Sequence, residues 1–386
     1  MQENYKMLAT TLFGLEEVLA KELKDLGAQN VMVGNRSVSF VGDKGFMYKA
    51  NLALRTAIRI LKPIRSFTVF DEESLYNKLK MLPWEDYLKS NGSFAINSVV
   101  HSKDFTTNSH YISLKAKDAI ADFFREKYEE RPDVDLKHPD VRIHVHIQHK
   151  TCTVSLDSSG DSLHKRGYRV NTNIAPINEV LAAGLVLLSG YNGDSNFIDP
   201  MCGSGTILIE AAMIAAKIPA NINRPEFGFE KWRNYDNNLF EIIHDSLLKR
   251  VQTPHHKIMG FDKAPSAIRK AKENIESANL SEFIKVFQIN FFESEKQVFG
   301  PTILLFNPPY GERLKIDTTS FYKEIGDTLK TNYPDTHAWF ITSDLEALKH
   351  VGLRTSKRIP MRNADLDCRF VKYELYKGTR KQTKKD

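Results

Sequence analysis

The chain is 386 residues long, with 54 lysines and arginines against 48 acids for a formal net charge of +6. The length points to two or three domains, and 41% apolar with 26% charged residues is globular composition, not that of a disordered or fibrous chain. No apolar run approaches the ~18–20 residues of a membrane span and the N-terminus lacks a signal-peptide layout, so a cytoplasmic protein with no membrane partner is expected.

From the N-terminus, Leu15 to Leu26 repeats apolar residues at helical spacing and stops at Gly27. Arg36 to Val41 alternates like a half-buried strand. Met47 to Ile60 reads as a helix with Arg55 and Arg59 on one face, and Asp71 to Trp84 as another, closed by Pro83. Strand Phe94 to Val100, helix Tyr111 to Tyr128 and a hairpin of Val141 to Ile147 with Thr151 to Leu156 follow. Together they predict an α+β region with a small mixed sheet. The first hairpin strand places His144 and His146 on one face, with His149 just beyond. No cysteine or carboxylate lies close in sequence to complete a site, so they are read as the solvent side of an amphipathic strand, and no metal is expected. Cys152, Cys202 and Cys368 are too widely spaced for a zinc ribbon or a disulfide framework.

The pattern changes near residue 165. Helix Ile177 to Leu188 leads into strands at 197–199, 257–261, 284–288, 302–306 and 337–342, with helices at 206–216, 265–278, 321–331 and 345–351 and a last strand at 369–376. Repeated βαβ units of this kind predict a doubly wound, mainly parallel sheet. Arg224, Phe227 and Trp232 are candidates for a lid over a ligand or for a filler beside that sheet. The final KGTRKQTKKD has five basic side chains, one acid and no apolar residue, as a mobile tail would.

Chemistry gathers at the strand ends. Asp199 closes the first of these strands and runs into Gly203-Ser204-Gly205, where the backbone can approach a ligand and the next helix opens with unpaired N–H groups. Neither the phosphate loop nor the dinucleotide fingerprint fits, because no Lys follows the glycines and position 208 is Leu. Asp262 ends the second strand, where an acid can accept both hydroxyls of a ribose. It lies farther from the glycine turn than the ~20 residues of a dinucleotide site, and the excess falls in Ile218 to His256. Asn290 follows the third strand, where its amide can meet an adenine edge. The fourth strand ends in Asn307-Pro308-Pro309-Tyr310. Two prolines stiffen that corner and hold an amide, a carbonyl and an aromatic ring in fixed positions. Such a corner suits a planar base with an exocyclic amine: the Asn307 side-chain oxygen and the Pro308 carbonyl accept its two N–H groups while Tyr310 stacks on the ring. The alternative is a proline-capped strand end.

The ordered set LHKRGYR, APINEVLAAG, DPMCGSGTILIEAA, RPEFGFEKW, GFDKAP and NPPYGERL resembles the THUMP-containing guanine-N2 RNA methyltransferases, the family of the RlmL N-terminal half and the YpsC-like proteins. The resemblance covers essentially the whole chain. It implies a Rossmann-like doubly wound class I methyltransferase domain (α/β) over 166–378, preceded by an α+β ferredoxin-like and THUMP RNA-binding region over 1–165 and followed by a basic tail at 379–386. Within the first region the ferredoxin-like segment would cover about 1–60 and THUMP about 45–157. By position it implies S-adenosylmethionine as cofactor, its methionine part at Asp199, Gly203 and Gly205, its ribose at Asp262 and its adenine at Asn290, where many relatives have Asp. Glu179 would help to close the pocket, and Asn307, Pro308 and Tyr310 would form the catalytic set. Lys165, Arg166 and Arg169 are expected to meet RNA phosphates or to tie the domains together; Arg313 is expected to contact RNA or anchor its loop. The implied reaction is a single methyl transfer to guanine N2 in RNA, 23S ribosomal RNA being favoured over tRNA. A non-catalytic RNA-binding protein with a decayed fold and an adenine-N6 DNA methyltransferase are the competing readings.

Overall fold

The computed structural model describes residues 3–102, 108–170, 176–309 and 317–377. The chain forms two compact units: one gathers Met1–Thr11, Leu19–Leu163 and Arg224–Ser246, the other Leu12–Val18, His164–Asn223 and Leu247–Asp386.

The first unit contains β1 (Tyr5–Thr10), α1 (Glu16–Leu26), β2 (Gln29–Gly34), β3 (Ser37–Gly42), α2 (Lys44–Ala53), β4 (Arg59–Thr68), α3 (Glu72–Lys80), β5 (Ser93–His101), α4 (Ser109–Tyr128), β6 (Asp133–Val134), β7 (Val141–Gln148) and β8 (Thr151–Asp157). Its sheet is mixed, as expected, but larger: eight strands in the order β2-β3-β1-β4-β8-β7-β5-β6, with only β5 pairing its neighbours in parallel. In β7 the alternation is visible residue by residue. Val141, Ile143, Val145 and Ile147 are buried, while Arg142, His144 and His146 occupy the opposite, partly exposed face. Burial and the neighbouring His146 push the His144 imidazole down to about 4. Among the described residues no group of three or more His, Cys, Asp or Glu is placed to hold a metal.

The expected helix Met47 to Ile60 is half wrong. Leu54 leaves the helix in an extended conformation, and Arg59–Thr68 is a ten-residue strand between β1 and β8. Ile60 and Leu61 are both buried, so this strand is covered on both faces there. A strand covered on both faces loses the period-two signal that separates it from a helix.

Residues 224–246 also belong to this unit. Phe229 stacks on Tyr48 at 4.4 Å between ring centres, and Phe227 stacks on Phe229 at 5.3 Å. Arg224 donates to the carbonyls of Ser159, Asp161 and Ser162 at 3.0–3.2 Å. A Cβ on Gly228 would meet the Gly160 nitrogen at 2.7 Å, so two backbones touch at this point.

In the second unit come α5 (Glu179–Leu188), β9 (Asn196–Asp199), α6 (Thr206–Ala215), α7 (Asn237–Leu248), β10 (Ile258–Asp262), α8 (Pro265–Ser277), β11 (Ile284–Gln288), β12 (Thr302–Phe306), α9 (Thr318–Asn332), β13 (Thr336–Thr342), β14 (Lys357–Asn363) and β15 (Leu366–Leu375), α7 being shared with the first unit. The strand order is β11-β10-β9-β12-β13-β15-β14, parallel up to β13 and antiparallel beyond it. The order reverses between β9 and β12, and the crevice at the carboxyl ends of strands at such a reversal is where doubly wound sheets hold ligands. Every strand expected in this half is present. Helix α7 and strand β14 were not expected, and the helix expected at 345–351 is a short 3-10 turn, Ala347–His350. α9 lies so close to that turn that a Cβ on Gly326 would stand 1.7 Å from the Val351 carbonyl oxygen.

Candidate active site

A cavity of about 280 Å³ opens at the carboxyl edge of β9, β10 and β12, and all of its walls come from the second unit. One wall starts at β9. Its last residue, Asp199, is 1% exposed, and its carboxylate accepts one hydrogen bond, from the Met201 N–H at 3.1 Å. Burial pushes the Asp199 carboxyl well above its ordinary value, and the nearby Asp262 carboxylate adds to the shift. Among the described residues a buried acid so thinly supported has room for a further hydrogen-bond donor or a positive charge. The chain then turns through Gly203 and Gly205, at φ +54° and +85°, a conformation glycine adopts without strain, and Gly205 opens α6.

Asp262 ends β10 opposite this turn. Its carboxylate accepts from the Gly203 N–H at 3.0 Å and the Ala264 N–H at 2.9 Å, so the acid and the glycine turn are held as one piece. Glycine at 260 makes that approach possible, since a Cβ there would stand 2.3 Å from Leu208 and 3.1 Å from Cys202. Asn290 also lines the cavity, and its side-chain oxygen caps the short turn Phe291–Glu293 by accepting from the Phe292 N–H at 3.4 Å.

At the end of β12, Asn307, Pro308 and Pro309 form the opposite wall. The Asn307 side-chain oxygen is buried and has no hydrogen-bond partner among the described residues. Buried acceptors are nearly always satisfied in folded proteins, so this one, on a residue of the cavity wall, is open to a donor. Tyr310, Arg313 and the tail at 379–386 lie outside the described residues.

Asp199, Gly203, Asp262, Asn290, Asn307 and Pro308 therefore surround one cavity, with Gly205 at the head of the helix behind it. Glu179 does not line it. Its buried carboxylate is paired with Arg169 at 3.0 Å. The basic residues of LHKRGYR divide. Lys165 is exposed. Arg166 is not available to a phosphate: its side chain is fully buried, with Nε 3.3 Å from the Glu210 carboxylate and Nη1 donating to Asn221 at 3.0 Å. Arg169 is largely buried as well. The alternation in this segment, with Arg166 and Tyr168 inward and Lys165 and Gly167 outward, was obscured by charge. Sequence reasoning also missed Pro176, Ile177, Met201, Phe291, Phe292 and Phe321 in the cavity wall. The paired phenylalanines directly after Asn290 were the available signal. Arg224, Phe227 and Trp232 are absent from the wall.

A parallel sheet with its order reversed at β9, a glycine turn feeding a helix, acids at two strand ends and an amide–proline corner at a third define a class I methyltransferase domain, whose methyl donor is S-adenosylmethionine. The chain belongs to the RMKL-like methyltransferase family, whose domain model matches residues 166–372. A THUMP domain model matches 69–157 and an RlmL ferredoxin-like domain model 6–61. A Synechocystis protein that carries an RNA-methyltransferase name, slr0064, is 35% identical over 95% of this chain and 96% of its own. The ribosomal RNA large subunit methyltransferase K/L of Syntrophotalea carbinolica is 35% identical over 97% of this chain, which spans only 54% of that relative's length. Among solved structures, the methyltransferase SMU.472 in complex with SAH superposes with a TM-score of 0.87 at 29% identity, covering 98% of this chain and 100% of its own.

Proposed function

We propose that this protein transfers a methyl group from S-adenosylmethionine to the exocyclic N2 amine of a guanine in RNA, with 23S ribosomal RNA as the substrate. The observation that carries the proposal is the buried, unpartnered side-chain oxygen of Asn307 in the wall of a cavity that also contains Asp199 and Asp262. The THUMP match over 69–157 and the ribosomal RNA named in the K/L relatives support RNA as the macromolecule.

The residues divide the work. Asp199 and the glycine turn take the charged amino-acid end of the cofactor, Asp262 its ribose hydroxyls and Asn290 its adenine. When bound, S-adenosylmethionine supplies an electrophilic methyl on a positively charged sulfur. A guanine amine is a weak nucleophile because its lone pair is drawn into the ring. Asn307 Oδ1 and the Pro308 carbonyl accept its two N–H groups, which favours the pyramidal nitrogen needed for attack and stabilises the positive charge that grows on it. A carboxamide does not take up a proton at neutral pH, so Asn307 acts by hydrogen bonding and the surplus proton leaves to solvent. Tyr310 stacks on the base, a contact worth ~1–3 kcal/mol in comparable cases. A paired guanine must first leave its helix to reach this corner. Lys165 meets the phosphate backbone, and Arg313 assists it.

Nucleoside mass spectrometry of rRNA and tRNA from a deletion strain tests the proposal. Loss of N2-methylguanosine from 23S rRNA is the expected result. Loss from tRNA alone would move the substrate, loss of N6-methyladenosine would change the base, and no loss from any RNA would refute the reading.

A further inference from the structure

The segment Arg166 to Val170 grips three separate parts of the cavity wall. Arg169 Nη2 donates both to the Ile177 carbonyl at 3.0 Å and to the Thr206 hydroxyl at 3.1 Å, and both of those residues line the cavity. Its Nε lies 3.0 Å from the Glu179 carboxylate as an ion pair. One residue on, the Val170 N–H donates to Asn274 Oδ1 at 3.0 Å, and Asn274 Nδ2 donates to the Ser204 carbonyl at 3.0 Å inside the glycine turn. Asn274 is 1% exposed and sits on α8. The loop at Pro176–Ile177, the first turn of α6 and the glycine turn are thus joined through one stretch of five residues.

We propose that Arg169 is a positioning residue for the cofactor cavity and not an RNA contact: it sets the separation of the Ile177 wall from the head of α6, with Asn274 doing the same for the glycine turn. The inference rests on the reading that the cavity takes S-adenosylmethionine. A planar guanidinium is suited to the task because its N–H groups leave in fixed directions, so one nitrogen holds the Ile177 carbonyl and the Thr206 hydroxyl while the charge faces Glu179. A lysine ammonium keeps the charge opposite Glu179 but carries its donors on one freely rotating nitrogen without the fixed fork, so it does not hold the Ile177 carbonyl and the Thr206 hydroxyl in the same register. Glu179, although absent from the cavity wall, gains a role as the group that fixes the orientation of Arg169.

Two conservative variants test this in the full-length protein. Arg169→Lys keeps the charge opposite Glu179, and Thr206→Val removes the hydroxyl without touching Arg169. Each is expected to raise the SAH dissociation constant, measured by isothermal titration, about tenfold, equivalent to ~1.4 kcal/mol. The double variant should be less than additive, because both changes cut one link. Fluorescence anisotropy with a 23S rRNA transcript should give wild-type affinity and a wild-type salt dependence for both single variants. A residue that merely stabilised the fold would lower the melting temperature without separating SAH from RNA binding. If Arg169→Lys binds SAH within twofold of wild type, the positioning role is wrong. If it also flattens the log–log salt slope of RNA binding by about one unit, Arg169 is a phosphate contact instead. A wild-type protein that gives no heat with SAH would sink the cofactor reading and this inference together.

Discussion

Replacing Asn307 by alanine should separate stability from activity. In the free protein its buried side-chain oxygen has no partner among the described residues. A buried, unsatisfied polar atom costs about 1–3 kcal/mol, and truncation removes that cost. Against it stands the loss of a few van der Waals contacts at the mouth of a cavity, where no new enclosed void forms. The net expectation is a gain of about 1 kcal/mol, a rise of roughly 2–4 °C in the melting temperature of a domain near 200 residues. Catalysis should move the other way. Loss of one preorganised hydrogen-bonding group at a developing charge typically costs 10²–10³ in kcat, or about 2.7–4 kcal/mol. The assay is methyl transfer to a 23S rRNA transcript at saturating cofactor, beside differential scanning fluorimetry and SAH titration. SAH affinity should stay within a few-fold of wild type. Turnover near the wild-type rate would refute the assigned role. A fall of several degrees in the melting temperature would show that the oxygen is structural and would remove the observation on which the role rests.

Four further outcomes follow from burial and geometry. Burial and Asp262 raise the Asp199 carboxyl above its ordinary 3.8, so the free protein holds a proton there that the unfolded chain has lost. Folding stability should therefore fall as pH rises from 3.8 to the raised value and level off above it, and Asp199→Asn should abolish that slope. A cation bound beside Asp199 favours the carboxylate, so SAH should bind more tightly as pH rises through the same window, with proton release seen by titration in buffers of different ionisation enthalpy. Gly326→Ala would favour the helix by about 1 kcal/mol on propensity alone, but a Cβ 1.7 Å from the Val351 carbonyl reverses the sign; chemical denaturation should show a loss of about 3 kcal/mol, at the upper end of overpacking. Arg166→Ala leaves the buried Glu210 carboxylate without its cation and should destabilise by about 3–5 kcal/mol, with the salt dependence of RNA binding unchanged in whatever protein folds.

The second unit was legible because its strands are short, apolar and closed by distinctive residues. Asp199, Asp262, Asn290 and Asn307 each stand within one or two residues of a strand's carboxyl end, and that position is what brings them together. The first unit was less legible for the same physical reason in reverse. β4 is a central strand covered on both faces at Ile60 and Leu61; the helix expected over Met47 to Ile60 ran into its first two residues, and 61–68 carried no expectation. β1 buries alternate residues, Met7 and Ala9, but the intervening Leu8 is apolar too and hides the alternation in the sequence, and β2 is an exposed edge strand that buries none of its residues. For Arg166 and Arg169 the sequence left phosphate contact and a structural tie open, because a basic residue at a domain junction suits either. What decides their role is the buried carboxylates of Glu210 and Glu179, 44 and 10 residues away in sequence.

The spacing that counted against a nucleotide site has the same kind of explanation. Asp262 lies 59 residues beyond Gly203, well past the ~20 that separate a glycine turn from its ribose acid in a dinucleotide fold. Yet the Gly203 N–H donates to the Asp262 carboxylate at 3.0 Å, so the two are direct neighbours. The surplus sequence is not inserted into the cofactor site. Residues 224–246 leave the second unit and pack in the first, where Phe229 lies against Tyr48, Arg224 holds the 159–162 carbonyls and the Asp236 N–H donates to the Tyr48 hydroxyl at 3.1 Å. Those 23 residues make up more than half of the surplus, and without them 36 residues separate Gly203 from Asp262. A spacing rule measures chain length, whereas a ribose requires proximity, and the two part company wherever a loop is recruited by another unit. In RPEFGFEKW, a segment open from sequence to a lid or a filler role, Phe227 stacks on Phe229 and Phe229 on Tyr48, which supports that recruitment.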